Sequence, residues 1–385
     1  MNRKQFIILV ALVALVGAAG WMVHQRGQQS WQNAGESTGG KLLPNLPINN
    51  IVEITIQSGT NELILAKRDN LWRVRQRGDY PADFSKIRDL LMKFADLKTV
   101  QSEDVGPSEL GRFDLLPPGP ATNTATLLAF SDQGGKPLAS VLLGKKHLAQ
   151  PAANSQFGGE GWPDGRYIMA GAGAKSVALI SDPLDAVDPN LSSWLDKDFV
   201  HIENPRAIAV EFPETTNSWK LVRASETNDW QLADARPGET LDSSKISEVT
   251  SPFSSPSFDD VAPATAAPHN ATVLTAQTFD GFDYTIHIGP KQGDDYPAVL
   301  SVTASLPSEP APAKNATAAE KSKLDAAFKA RQKTLADKLT KEEQFDNWVY
   351  SVPTYVVDPI IKRRIELLVE VKMESNTNTP ASAEK

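Results

Sequence analysis

The sequence contains no cysteine. That absence removes thiol nucleophiles, thiolate metal sites, disulfide frameworks and lipoprotein-type acylation together. Histidine is scarce too, with five residues: His24, His147, His201, His269 and His287. None stands at metal-ligand spacing from another, so a zinc site of the H-E-x-x-H type is absent. Nothing favours any one Ser–His pair as a nucleophile and base. Gly171-Ala172-Gly173-Ala174-Lys175-Ser176 approaches a phosphate-binding loop, but Ala174 stands where the glycine before the lysine belongs. A hairpin turn between residues 167–169 and 177–180 accounts for it better. Asp182, Asp185 and Asp188 are spaced by three, unlike the alternating ligands of a calcium loop. Asp259-Asp260 and Asp294-Asp295 read as solvated acids in turns. Cations are outnumbered, Lys plus Arg being 39 against 47 Asp plus Glu for a net charge of −8. An acidic chain of this kind is a poor ligand for nucleic acid. These absences predict no catalytic residue, no metal, no cofactor and no nucleic-acid partner.

Apolar material is sufficient for real cores, at 41% of 385 residues. At about 150 residues per domain that length suggests two or three folded units. Residues 6–23 carry no charge and are dominated by Phe6, Ile7, Ile8, Leu9, Val10, Leu12, Val13, Leu15, Val16, Trp21, Met22 and Val23. As a helix this stretch would be about 27 Å long, close to the roughly 30 Å hydrocarbon core of a bilayer. Arg3 and Lys4 precede it, so the positive-inside rule leaves the N-terminus in the cytoplasm and the body outside. A cleaved signal peptide is the alternative, with Gly17-Ala18-Ala19 as the small-residue site, but the apolar run exceeds the usual signal core. The reading is a single-pass inner-membrane anchor over 1–23 with a periplasmic body. Residues 24–43, rich in Gly, Gln and Ser, form a flexible spacer.

The body reads as one unit written twice, over 44–198 and 199–373. Val52, Ile54 and Ile56 alternate at period two, as do Ile208, Val210 and Phe212, the signature of half-buried strands. A second strand follows each, 62–68 or 218–224. Then come a turn and an aromatic, Trp72 or Trp230, read as core positions. Asp83 and Asp242 each precede a helix and suit the N-cap. Ile87, Leu90, Leu91, Phe94 and Leu97 give the first helix one apolar stripe. Phe113-Asp114 matches Phe258-Asp259. Strands 125–130 and 139–144 match 272–279 and 284–289, with Gly144 against Gly289. Tyr167, Val177 and Asp182-Pro183 are set against Tyr350, Val356 and Asp358-Pro359. The fold class is α+β: two tandem copies of a mainly antiparallel sheet unit with covering helices, after one transmembrane helix.

The copies differ in one loop. Copy one has a Gly, Pro and Ala loop over 146–166, and copy two is read as carrying an insertion over 306–345 at the same place. This insertion combines a Pro/Ala linker with a stretch of strong helix formers. Leu324, Phe328, Leu335 and Leu339 make a narrow apolar seam on that helix. Two readings stand: docking on a partner helix or a second copy, or packing back on its own sheet with its charges solvated. Residues 374–385 form a polar tail.

These blocks, from the basic start and apolar helix to the Trp strand, Asp-capped helix, Phe-Asp turn, Gly-ending strand and Asp-Pro, resemble one family. It is the bacterial membrane-anchored domain of unknown function 4340 family. The resemblance spans about residues 44–370. It implies tandem units, an association with gliding-motility-type ABC transporter components, and no catalytic residues. The expectation is a non-catalytic accessory protein of an envelope complex, with a transporter-type permease as partner and self-association through the insertion as a further possibility. Two alternatives stand beside it: a glycan- or peptide-binding module, using the inter-repeat groove or the loop around Trp162, and an envelope-polymer hydrolase using Asp114 and Asp259.

Overall fold

A computed structural model describes residues 39–149, 161–171, 174–254, 256–264, 268–310 and 317–369. The expected anchor from Phe6 to Val23, most of the spacer and the tail from 374 lie outside the described residues. Among the described residues no helix is long and apolar enough to cross a membrane. The chain divides into two compact units, Met1–Asp196 and Lys197–Lys385. Each is an antiparallel sheet with a few helices, so the architecture is α+β.

The first unit holds β1 (Glu53–Ser58), β2 (Asn61–Arg68), β3 (Leu71–Val74), β4 (Tyr80–Pro81), α1 (Phe84–Asp96), β5 (Thr99–Asp104), β6 (Thr126–Ser131), β7 (Pro137–Leu148), β8 (Pro163–Ala170) and β9 (Ser176–Ile180). Its strands lie in the order β4-β3-β2-β1-β6-β7-β8-β9-β5. The alternation in β1 puts Ile54 and Ile56 on one face. Ile54 stands beside Leu65 and Phe130, and Ile56 beside Leu63 and Leu128, all fully buried. Such cross-strand rows are what stabilise a sheet. Helix α1 covers that face with Ile87, Leu90, Leu91 and Phe94, the Phe94 ring lying edge-on to Phe130 at 5.9 Å. Its start is set by Asp83, whose carboxylate accepts from the Lys86 N–H at 3.1 Å.

The second unit holds β10 (Pro205–Glu211), β11 (Trp219–Val222), β12 (Gln231–Leu232), α2 (Ser243–Thr250), β13 (Asp260–Pro263), β14 (Thr272–Thr278), β15 (Phe282–Ile288), β16 (Asp295–Ala304), α3 (Ala318–Glu342), β17 (Trp348–Pro353) and α4 (Thr354–Val357). Its order, β12-β11-β10-β14-β15-β16-β17-β13, is that of the first sheet with no counterpart of β4. Ile208 and Val210 form rows with Leu221 and Ala276, and with Trp219 and Leu274. Asp242 caps α2, accepting from the Ser244 N–H at 2.9 Å. Gly144 lies within β7 rather than at its end, Gly289 just follows β15, and both have a steric reason. A Cβ on Gly144 would overlap the Phe113 carbonyl oxygen, and one on Gly289 would stand 2.7 Å from Pro268 Cβ.

Three sequence expectations are corrected here. The insertion of copy two does not occupy the place of the 146–166 loop. Residues 146–166 join β7 to β8 and contribute to both strands, whereas α3 joins β16 to β17, the counterpart of the β8–β9 hairpin. Ala298, Leu300 and Val302 alternate in β16, but Pro297 disguises its place as a central strand. For the same reason Tyr167 and Tyr350 are not counterparts: Tyr167 lies in β8, and Tyr350 in β17, the counterpart of β9. Finally, Trp72 is buried, but Trp230 is only half-buried, with the Arg223 guanidinium 4.7 Å from its ring centroid. Trp219 fills the core of this unit and donates its indole N–H to the Lys362 carbonyl at 2.6 Å.

Candidate functional site

Helix α3 begins at a capping box. The Thr317 hydroxyl accepts from the Glu320 N–H at 3.3 Å, and Glu320 accepts from the Thr317 N–H at 2.8 Å. Its 25 residues make a rod about 37 Å long. The C-terminal end is fastened to the second unit by buried polar groups. Glu342, 4% exposed, accepts from the Tyr284 hydroxyl at 2.8 Å and from the His201 backbone N–H at 3.3 Å. Lys338 donates to the His201 carbonyl at 2.8 Å and lies 5.4 Å from the Phe282 ring centroid. Lys341 pairs with Asp198, and Arg331 with Asp280. Burial, then the Glu342 carboxylate, push the Tyr284 phenol well above its ordinary range.

The expected seam residues divide along this rod. Phe328 and Leu335 line a groove of about 700 Å³ formed with the β14–β15 turn, including Asp280, with Asp283 at the start of β15, and with residues 305–309. Leu339 is half-buried, and Leu324, one turn before Phe328, is 50% exposed. Packing onto its own unit therefore describes the C-terminal part of α3, while residues 319–327 are exposed. Lys321, Lys323, Lys329 and Lys333 on this rod have no ion-pair partner among the described residues. Asp325 and Asp337 stand among them, so the outward surface of α3 is mixed, with cations in excess over the helix as a whole.

The fastening residues Glu342, Lys338, Tyr284 and His201 escaped sequence reasoning. One signal was legible: Thr317-x-x-Glu320 is a capping box and marks the helix start. A Glu bound to a Tyr 58 positions away leaves no local pattern.

The other candidates are dispersed. Asp114 closes the 3-10 turn Pro107–Phe113 in a left-handed conformation, φ 53°. Asp259 lies in the other unit, where its carbonyl accepts from Lys197 at 2.6 Å. Asp295 is pushed up by burial and then by Asp259, Asp294 and Asp260. Among the described residues no group of three or more His, Asp or Glu could hold a metal ion. His147 lies 2.5 Å from Asp164, and Trp162 is 66% exposed.

A chain of two α+β units with one projecting basic helix is thus the class of protein defined by fold and surface. It matches the family model described as Domain of unknown function (DUF4340) over residues 72–274, more than half its length, and belongs to that family. No curated protein and no solved structure matches it.

Proposed function

We propose that this chain is a membrane-anchored, periplasmic, non-catalytic accessory protein of an envelope complex linked to an ABC transporter, and that α3 is its contact. In this reading the two units are tandem copies of one unit, as their shared strand order suggests. The observation that carries it is the two-part character of α3. One end is fastened by Glu342, Lys338 and Lys341, while the other exposes Leu324 and unpaired lysines. A rod held at one end presents its free part at a fixed angle, which lowers the ordering cost of docking. Unpaired lysines steer it toward an acidic partner surface and suppress wrong partners.

The test is mild crosslinking of the C-terminally tagged full chain in native membranes, with captured proteins identified by mass spectrometry. A transporter-type permease is expected, and recovery should fall several-fold when Lys323→Glu and Lys329→Glu are combined. Both side chains are exposed, so the substitutions leave the fold intact. Equal recovery by the variant, or purification of the chain alone from the soluble fraction, overturns the reading.

A further inference from the structure

At one end of the first sheet, Ser58, Asn61, Thr126, Lys146 and Arg166 come from five neighbouring strands and meet under the segment 185–189. They line a pocket of about 280 Å³, the volume of about nine liquid waters at about 30 Å³ each. The Arg166 guanidinium is half-buried in it. Its Nε donates to the Gly144 carbonyl at 2.8 Å, and its Nη1 to the carbonyls of Pro183 at 3.3 Å and Leu184 at 3.5 Å. A guanidinium has five N–H donors, and the two on Nη2 have no protein acceptor among the described residues. No carboxylate lies within ion-pair distance of Arg166 among those residues. Desolvation lowers its pKa, and the Asp185 carboxylate, beyond ion-pair distance, partly opposes that shift.

The surrounding groups define what the free donors can take. Lys146 pairs with Asp185, which also acts on Arg166 through space. Asp188 accepts from the Asn190 N–H through one oxygen, at 2.8 Å. Thr126 donates to Ser58 Oγ at 3.2 Å, so the Ser58 hydroxyl hydrogen is left to point elsewhere. The roof is rigid. Leu184 is buried with φ 51°, a conformation costing roughly 1–2 kcal/mol for a non-glycine residue. It is held there by Asp182, which accepts its N–H at 2.8 Å, and by Arg166. With two cations and two acids in the wall, a multiply charged anion would meet Asp185 and Asp188 as well as Arg166.

We propose that this pocket binds a small ligand bearing one carboxylate and a hydrogen-bond donor such as an ammonium, its carboxylate on Arg166 Nη2 and Ser58 and its donor end toward Asp188. This goes beyond the accessory role and does not depend on it, because α3 belongs to the other unit. The test uses the full chain in a nonionic detergent, titrated with the dipeptide alanyl-alanine and, separately, with its C-terminal amide. Unfolding temperature and calorimetric heat are the readouts. The dipeptide is expected to raise the unfolding temperature of the first unit saturably, and the amide is not. Arg166→Gln should abolish the response. Should that variant fail to fold, Asn61→Asp at the exposed start of β2 keeps Arg166 and sets a competing carboxylate in the wall. It too is expected to abolish the response. No saturable response, an equal response to the amide, or an undiminished response in the folded variants overturns the proposal.

Discussion

Tyr284→Phe isolates the hydrogen bond that fastens α3. The Tyr284 ring is buried at 1% exposure and stacks near Phe282 at 6.1 Å, so phenylalanine preserves the packing and removes only the hydroxyl. A hydrogen bond to a charged group contributes about 1.5–3 kcal/mol. Glu342 keeps the His201 N–H at 3.3 Å and Lys338 at 3.4 Å after the change, which places the loss toward the lower end, near about 2 kcal/mol. For a unit of this size that corresponds to about 4–8 °C in Tm. The pH dependence supplies a second, independent signature. The phenol is held neutral in the fold, while in the unfolded chain it ionises near about pH 10. Stability from this group is therefore complete below pH 10 and declines above it, by at most about 1.4 kcal/mol per pH unit. The variant lacks that decline, so the gap between the two proteins should narrow by about 1.4 kcal/mol between pH 8 and 11. Scanning calorimetry, following the second unit's transition across that range, measures both. A gap below about 0.5 kcal/mol at pH 8, or one that does not narrow toward pH 11, refutes the reasoning.

Other substitutions probe separate features. Gly144→Ala forces a methyl into the Phe113 carbonyl and to 2.8 Å from Leu115 Cγ, so the first unit should lose about 3 kcal/mol or more in urea unfolding. Arg364, 4% exposed, bonds both Asp234 and Glu239 and holds the Glu239 carboxyl down at about 2. The stability it supplies is present above the ordinary Glu value and lost as pH falls toward 2; Arg364→Met should flatten that acid limb of the stability curve. Asp295→Asn should raise Tm at pH 7, because burial and the nearby Asp259, Asp294 and Asp260 disfavour its charged form. That gain should vanish below about pH 3.9, where an unfolded-state Asp is protonated as well.

Legibility in the sequence followed the range of the interactions involved. The β1 alternation, the Asp83 and Asp242 caps and the stripe of α1 are set by neighbours within a turn or two, and each has its expected place. Gly289 was visible as a strand-ending glycine, whereas Gly144 lies inside β7, which runs on to Leu148; the backbone and prolines that exclude a side chain at both come from distant segments. The failures share a cause. Pro297 hid β16, and with it the true position of the insertion, since a proline inside a run argues against a central strand. Trp230 resembled Trp72 by position, but Arg223, just past the end of β11, lies over its ring. Within the candidate surface the seam was legible and its fastening was not. Leu324, Phe328, Leu335 and Leu339 recur at helical spacing, while Glu342 finds Tyr284 and His201 only through the sheet.

The positions of the two elaborations follow from the topology. With the strand order held, only the connections can vary without disturbing the buried rows. The first unit lengthens the link from β7 to β8, and the second lengthens the link from β16 to β17. In an antiparallel sheet successive links alternate ends, and these two belong to alternate classes. The Arg166 pocket accordingly gathers the end of β1, the start of β2 and the start of β6, whereas α3 packs beside the turn between β14 and β15, at the opposite end of its own sheet. The β1–β2 link that forms part of the pocket has its counterpart in the β10–β11 link, residues 212–218, far along the strands from α3. One strand plan thus offers two ends for added chemistry, and each unit elaborates a different one. Loss of partner recovery in the α3 lysine variants and loss of ligand response in Arg166→Gln are therefore separate outcomes, and neither can stand in for the other.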